Sequence, residues 1–100
     1  MMITIEKEIY DILKQKADEN DISVPAMVRH MLINYFDLED DTKDYKKNNE
    51  SSSIIIVGNK TYYRLNTKMR KENEIYIKEE LKRRKTTINK LLKELIILTA

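Results

Sequence analysis

Residues 86–95, "TTINKLLKEL", and residues 22–31, "ISVPAMVRHM", share one rhythm. Ser23, Val24, Met27, Val28 and Met31 stand 64 positions before Thr87, Ile88, Leu91, Leu92 and Leu95. In both stretches a hydroxyl residue precedes an apolar stripe at helical spacing, which is the pattern of an N-cap opening an amphipathic helix. If the rhythm is a repeat, the chain holds one small motif twice, and that reading decides the fold.

Working upstream from Ser23, residues 2–5, "MITI", alternate and are β-branched at Ile3, Thr4 and Ile5, a short strand signal. Ile9, Ile12, Leu13, Lys16 and Ala17 then fall at helical spacing, with acidic Glu6 and Glu8 in the dipole-compatible first turn. That helix is expected to end near Asn20-Asp21. Ser23 caps the next, with Pro25 in its first turn, where a missing N–H costs nothing. Its stripe is Val24, Met27, Val28, Met31, Leu32, Tyr35 and Phe36.

Upstream of Thr87 the order is similar. Ile54–Val57 is a strand candidate, Gly58-Asn59 fits a type II′ turn, and Thr61–Leu65 is a second strand. Met69, Tyr76, Ile77 and Leu81 mark a helix, with Arg83-Arg84-Lys85 at its C-terminal end. Thr87 caps the last helix, striped by Ile88, Leu91, Leu92, Leu95 and Ile96. The strands match at an offset of 60 (Ile3 to Tyr63, Ile5 to Leu65), but the helices match at 64. The second copy therefore carries about four extra residues, read as a lengthened first helix, and Asn73 is the misfit in Ile9's place. The predicted organisation is a first motif at 1–37, a polar linker at 38–53 with a frayed helix extension at its start, and a second motif at 54–100. The fold class is mainly α with a short β-ribbon, strand-helix-helix twice.

Composition excludes much. The chain has 100 residues, 41% hydrophobic and 36% charged, with no cysteine, one histidine and one glycine. Thiolate metal sites, disulfides, His clusters and Gly-rich phosphate loops cannot be built, so no metal, cofactor or catalytic residue is expected. His30 reads as a helix-surface residue. Glu79-Glu80 and Asp40-Asp41 are sequence neighbours that do not face each other on a helix. No apolar run approaches the roughly 20 residues of a membrane span, and no signal peptide is evident, so an intracellular protein is expected. The net charge of +2 conceals an asymmetry: residues 1–41 sum to −6 and residues 42–100 to +8. A basic half is the electrostatic footprint of a polyanion binder.

A unit of about 40 residues cannot bury enough surface alone, and its lone strand leaves edges unpaired. Two units that pair strands antiparallel and interlock helices solve both problems, giving a two-stranded ribbon of the width of a DNA major groove. Here "MITIEKEIYDILKQKADENDISVPAMVRHMLINY" resembles the ribbon-helix-helix regulators of the MetJ/Arc/CopG superfamily, through its "ITI" strand, acidic helix start and Asn-Asp-Ile-Ser turn. "YYRLNTKMRKENEIYIKEELKRRKTTINKLLKELI" is a looser match. The tandem arrangement and Lys/Ile-rich composition are similar to small regulators of archaeal viruses and plasmids.

The resemblance implies a sequence-specific regulator of double-stranded DNA, a repressor in keeping with the family, in the host cytoplasm if viral. Outward strand residues would read bases: Met2 and Thr4 from the first strand, and Lys60, Tyr62, Arg64 and Asn66 from the second. Arg64 offers two hydrogen bonds to a guanine edge. The N-termini of the second helices would clamp phosphates through Ser23 and Val24 in one copy. In the other, Lys85, Thr86, Thr87, Ile88 and Lys90 take that part. The first copy lacks a strand Arg or Lys, so its role is weighted towards pairing. The linker permits pairing within or between chains, since about 16 flexible residues span roughly 20 Å; a homodimer, or a higher oligomer on DNA, is expected from the unlike copies. The alternative class is a protein-interaction module, such as an antitoxin or helical adaptor, although a helical C-terminal stretch is unlike a disordered partner-binding tail.

Overall fold

In the computed structural model, residues 1–40 and 52–99 are described, and they form a mixed α/β fold of four helices and a three-stranded antiparallel sheet. The elements are β1 (Met2–Glu6), α1 (Lys7–Glu19), α2 (Val24–Phe36), β2 (Ser52–Val57), β3 (Lys60–Asn66), α3 (Lys71–Arg83) and α4 (Ile88–Thr99). The middle of the expected linker, 41–51, lies outside the described residues. Its C-terminal end does not behave as linker: Ser52 and Ser53 belong to β2.

The sheet order is β1-β3-β2, so the expected two-stranded ribbon carries a third strand. The cause is local. Gly58 takes φ +63° while Asn59 stays in the negative-φ region, as a type II′ turn requires. This turn joins β2 to β3 as a hairpin with Val57 opposite Lys60. The strands β1 and β3 pair within one chain, with Thr4 opposite Arg64 at the centre of the register and Ile3 and Ile5 opposite Leu65 and Tyr63.

The two helix pairs are built alike to the level of individual hydrogen bonds. Helices α1 and α3 each have 13 residues and lie 64 positions apart. The four extra residues of the second half are therefore not helical. They are Thr67–Arg70, the connection from β3 to α3, and the expected lengthening of the helix is corrected accordingly. Helix α1 ends with Asp21 N–H on Asp18 O and Ile22 N–H on Ala17 O. Helix α3 ends with Lys85 N–H on Lys82 O and Thr86 N–H on Leu81 O. Asp21 and Lys85 take φ of +55° and +53°, the left-handed residue of this C-terminal motif. Two residues later the caps repeat as well. Ser23 Oγ accepts from Ala26 N–H at 3.2 Å, and Thr87 Oγ1 from Lys90 N–H at 3.2 Å.

Helix α2 ends in the same manner, with Asp37 at φ +53° and Leu38 N–H on Ile33 O, so the helix stops at Phe36 rather than fraying into the linker. Leu38 packs against the core and Asp40 pairs with buried Arg29 at 2.9 Å. Asn73, the misfit of the repeat, is buried and donates to Glu39 O at 2.6 Å, holding the same segment. Tertiary demand thus explains why an apolar position became polar.

One core runs through both halves. Ile3, Ile5 and Leu65 meet Ile9, Leu13, Val28, Leu32, Ile77, Leu91 and Leu92 beneath the helix-covered face of the sheet. Some stripe residues fall outside it. Ile12, Tyr35 and Tyr76 are exposed, while Tyr10 is buried and stacks on Tyr63 with ring centroids 3.9 Å apart. At the far end Arg84 donates to the Tyr35 hydroxyl and lies 5.3 Å from the Phe36 ring centroid, tying α3 to α2.

Candidate nucleic-acid interface

Side chains alternate across a strand, and cross-strand partners share a face. Met2 pairs with Asn66, Thr4 with Arg64, and Glu6 with Tyr62. All six residues expected to contact bases, Met2, Thr4, Lys60, Tyr62, Arg64 and Asn66, therefore lie on one face of the sheet, opposite the buried Ile3, Ile5 and Leu65. Met2, Thr4, Lys60, Arg64 and Asn66 are exposed and Tyr62 is half-buried. Neither Lys60 nor Arg64 forms an ion pair with a described residue, which suits both cations to an anionic ligand. Tyr63, pointing the other way from Tyr62, packs inward on Tyr10.

Sequence alternation missed four residues of this face. Glu6 extends β1, and Ser53, Ile55 and Val57 come from β2, opposite Arg64, Tyr62 and Lys60. The signal was present: a two-residue hairpin turn fixes that register once Gly58-Asn59 is assigned.

The two helix N-termini expected to hold phosphates differ. At α4, Lys85, Thr87 and Lys90 are exposed, and Thr86 and Ile88 half-buried. The N–H groups of Ile88 and Asn89 fall in the first turn, where no helical carbonyl is in reach, and they carry the positive end of the helix dipole. Glu6 N–H donates to Asn89 Oδ1 at 3.0 Å, which fixes this helix end beside the Glu6–Tyr62 end of the ribbon. The strand residues expected to contact bases and the helix start expected to hold phosphate are thus adjacent. At α2, by contrast, Ser23 and Val24 are buried, and Pro25 removes one N–H from the first turn. The start of α2 is thus less open to solvent than the start of α4.

The basic cluster before α4 is partly neutralised. Glu80 accepts from Arg83 at 2.7 Å and pairs with Arg84 at 3.4 Å. The Arg83 guanidinium holds the Glu80 carboxyl below its usual range, with help from Arg84. Lys85 and Lys90 have no carboxylate partner among the described residues and keep their charge for solvent or ligand. An open cleft of about 360 Å³ lies between the start of α1 and the β2–β3 turn, lined by Glu6, Lys7, Glu8, Asn59, Lys60 and Thr61. Its mixed charges specify no ligand chemistry. Exposed His30 lies on α2, away from any grouping of metal-ligating side chains among the described residues. No described helix is long and apolar enough to cross a membrane.

No family model matches the chain. It is 54% identical over 99 residues to the uncharacterised ORF100b protein of Acidianus filamentous virus 2, covering 99% of each. It is 53% identical over 100 residues to uncharacterised protein 28 of Sulfolobus islandicus filamentous virus, covering all of this chain and 99% of that one. Among solved structures it is similar to AvtR, a transcriptional regulator from a hyperthermophilic archaeal lipothrixvirus. The identity is 48% and the TM-score 0.84, over 96% of this chain and 98% of that one. The chain belongs to the family of small archaeal-virus proteins that includes these relatives.

Proposed function

We propose that the chain is a transcription regulator that binds double-stranded DNA as a tandem ribbon-helix-helix protein, inserting the outer face of β1 and β3 into the major groove. The observation that carries this reading is the β1–β3 register. It puts Met2, Thr4, Lys60, Tyr62, Arg64 and Asn66 on one helix-free face, with counterpart residues Thr4 and Arg64 opposite each other. The likeness to AvtR, itself a transcriptional regulator, supports the regulatory part.

The third strand is compatible with the groove. Strands lie about 4.8 Å apart, so three span roughly 10 Å before side chains are added, close to the groove's roughly 12 Å. Twist of some 20–25° per strand turns β2 away from the groove floor. Central strand β3 carries most of the polar readers, and β1 adds Met2 and Thr4. Arg64 donates two hydrogen bonds to a guanine, Asn66 and Thr4 offer further donors and acceptors, and the Thr4 methyl suits thymine. Backbone N–H groups at Ile88 and Asn89, with Lys85 and Lys90, hold a phosphate and set the docking angle. The first half contributes Thr4 and Met2 and the strand that completes the ribbon.

Fluorescence anisotropy on duplex DNA from upstream of the coding sequence, with random duplex as control, tests the proposal at two salt concentrations. The expected result is sequence-preferring binding that weakens steeply with salt, because neutralised phosphates release counterions, and weakens again in Arg64→Ala. Absence of binding at low salt would overturn it and favour a protein-interaction module.

A further inference from the structure

We infer that the free edge of β2 is a pairing site for a second copy of the chain, joining two three-stranded sheets into one continuous antiparallel sheet. The inference does not depend on DNA binding. Strand β2 is the sheet's outer strand beyond β3, and its second row of backbone N–H and C=O groups faces outward. Ile54, Ile56 and Val57 are 62%, 70% and 63% exposed. Ile54 and Ile56 lie on the same face as buried Leu65 but extend past the helix layer, so no described element of the chain covers them.

Edge strands are normally blunted by charge, proline or bulges. "SSIIIV" has none of these, although 36% of the whole chain is charged. An uncharged strand with an open backbone row fits another uncharged strand, and β2 is complementary to itself. In an antiparallel pair centred on Ile55, each Ile54 meets the second copy's Ile56, Ile55 meets its own equivalent, and Ser53 meets Val57. Every isoleucine then gains an apolar cross-strand neighbour, and the contact is isologous and closes as a dimer.

The absence of cysteine makes the test clean. Mass in solution is measured by light scattering from low to high micromolar concentration for wild type and for Ile54→Glu/Ile56→Glu, whose positions are too exposed for the change to disturb folding. Separately, Ile55→Cys is oxidised mildly, and Ile54→Cys is mixed with Ile56→Cys. The expected result is a concentration-dependent dimer that the double glutamate variant weakens at least tenfold with its melting temperature unchanged. Ile55→Cys should cross-link to itself, because equivalent Cα atoms of directly opposed residues lie within disulfide reach. Ile54→Cys and Ile56→Cys should cross-link efficiently only when mixed. A chain monomeric throughout with no cross-linking, or a dimer indifferent to the double substitution, overturns the inference.

Discussion

The turn from α1 to α2 and the turn from α3 to α4 are the same object twice, yet they present opposite surfaces. Each has a left-handed residue (Asp21, Lys85), a hydroxyl cap two positions on (Ser23, Thr87) and a cap bond of 3.2 Å to the third residue after it. What differs is exposure and charge. Ser23 and Val24 are buried beside an aspartate turn, whereas Thr87 is exposed beside lysines. Backbone geometry needs the turn, so it recurs unchanged. A ligand meets only the side chains around it, and those have diverged. In the proposed regulator the second half supplies most of the contacts, while the first half adds Met2 and Thr4 and completes the ribbon and the core.

The sharpest break between the halves is Arg29, buried on α2 and paired with Asp40, against exposed Lys93 at the equivalent place on α4. Asp40→Ala removes the carboxylate that pairs with a buried guanidinium at 2.9 Å. Denaturant unfolding should show a loss of about 3 kcal/mol or more, whereas Lys93→Ala should stay within about 0.5 kcal/mol. Equal losses would mean that the halves are not differentiated there.

Within the ribbon the comparison is Arg64 against its cross-strand neighbour Thr4. Arg64→Ala should cost about 1–3 kcal/mol of binding to specific DNA, with Thr4→Ala costing less, as read by anisotropy. A larger loss at Thr4 would reverse the assignment of roles. Next come the caps. Ser23→Ala and Thr87→Ala should each destabilise the fold by about 1 kcal/mol in thermal unfolding, but only the second should also weaken DNA binding.

The smallest effect separates turn geometry from charge. Glycine relieves the left-handed conformation, so Asp21→Gly and Lys85→Gly should each stabilise by about 0.5 kcal/mol. Lys85→Gly alone should lower DNA affinity and reduce the salt slope by about one unit.

The elements were legible because their signals are local. Ser23 and Thr87 as caps, Pro25 in a first turn, Gly58-Asn59 as a II′ turn and the inward alternation of Ile3, Ile5 and Leu65 all depend on residues a few positions apart. The misreadings arose where distance in space decides. Four residues inserted at Thr67–Arg70 look like an extra helical turn, because one turn nearly preserves the apolar phase. Asn73 looks like an error until Glu39 is seen to need its donor. Ile12 and Tyr10 exchange places because Tyr63 offers Tyr10 a ring to stack on. The proposed binding face was legible to the extent that alternation defines it; the burial of Ser23 and Val24 and the company of β2 depend on packing.

Whether the outer β1–β3 face reads DNA, with the start of α4 beside it, is decided by following backbone amide resonances during titration with duplex DNA from upstream of the coding sequence. The largest shifts should fall in residues 2–6, 60–66 and 86–90, with little change at 22–26. Shifts concentrated on the exposed faces of α1 or α2, with the ribbon silent, would contradict the proposed mode of binding.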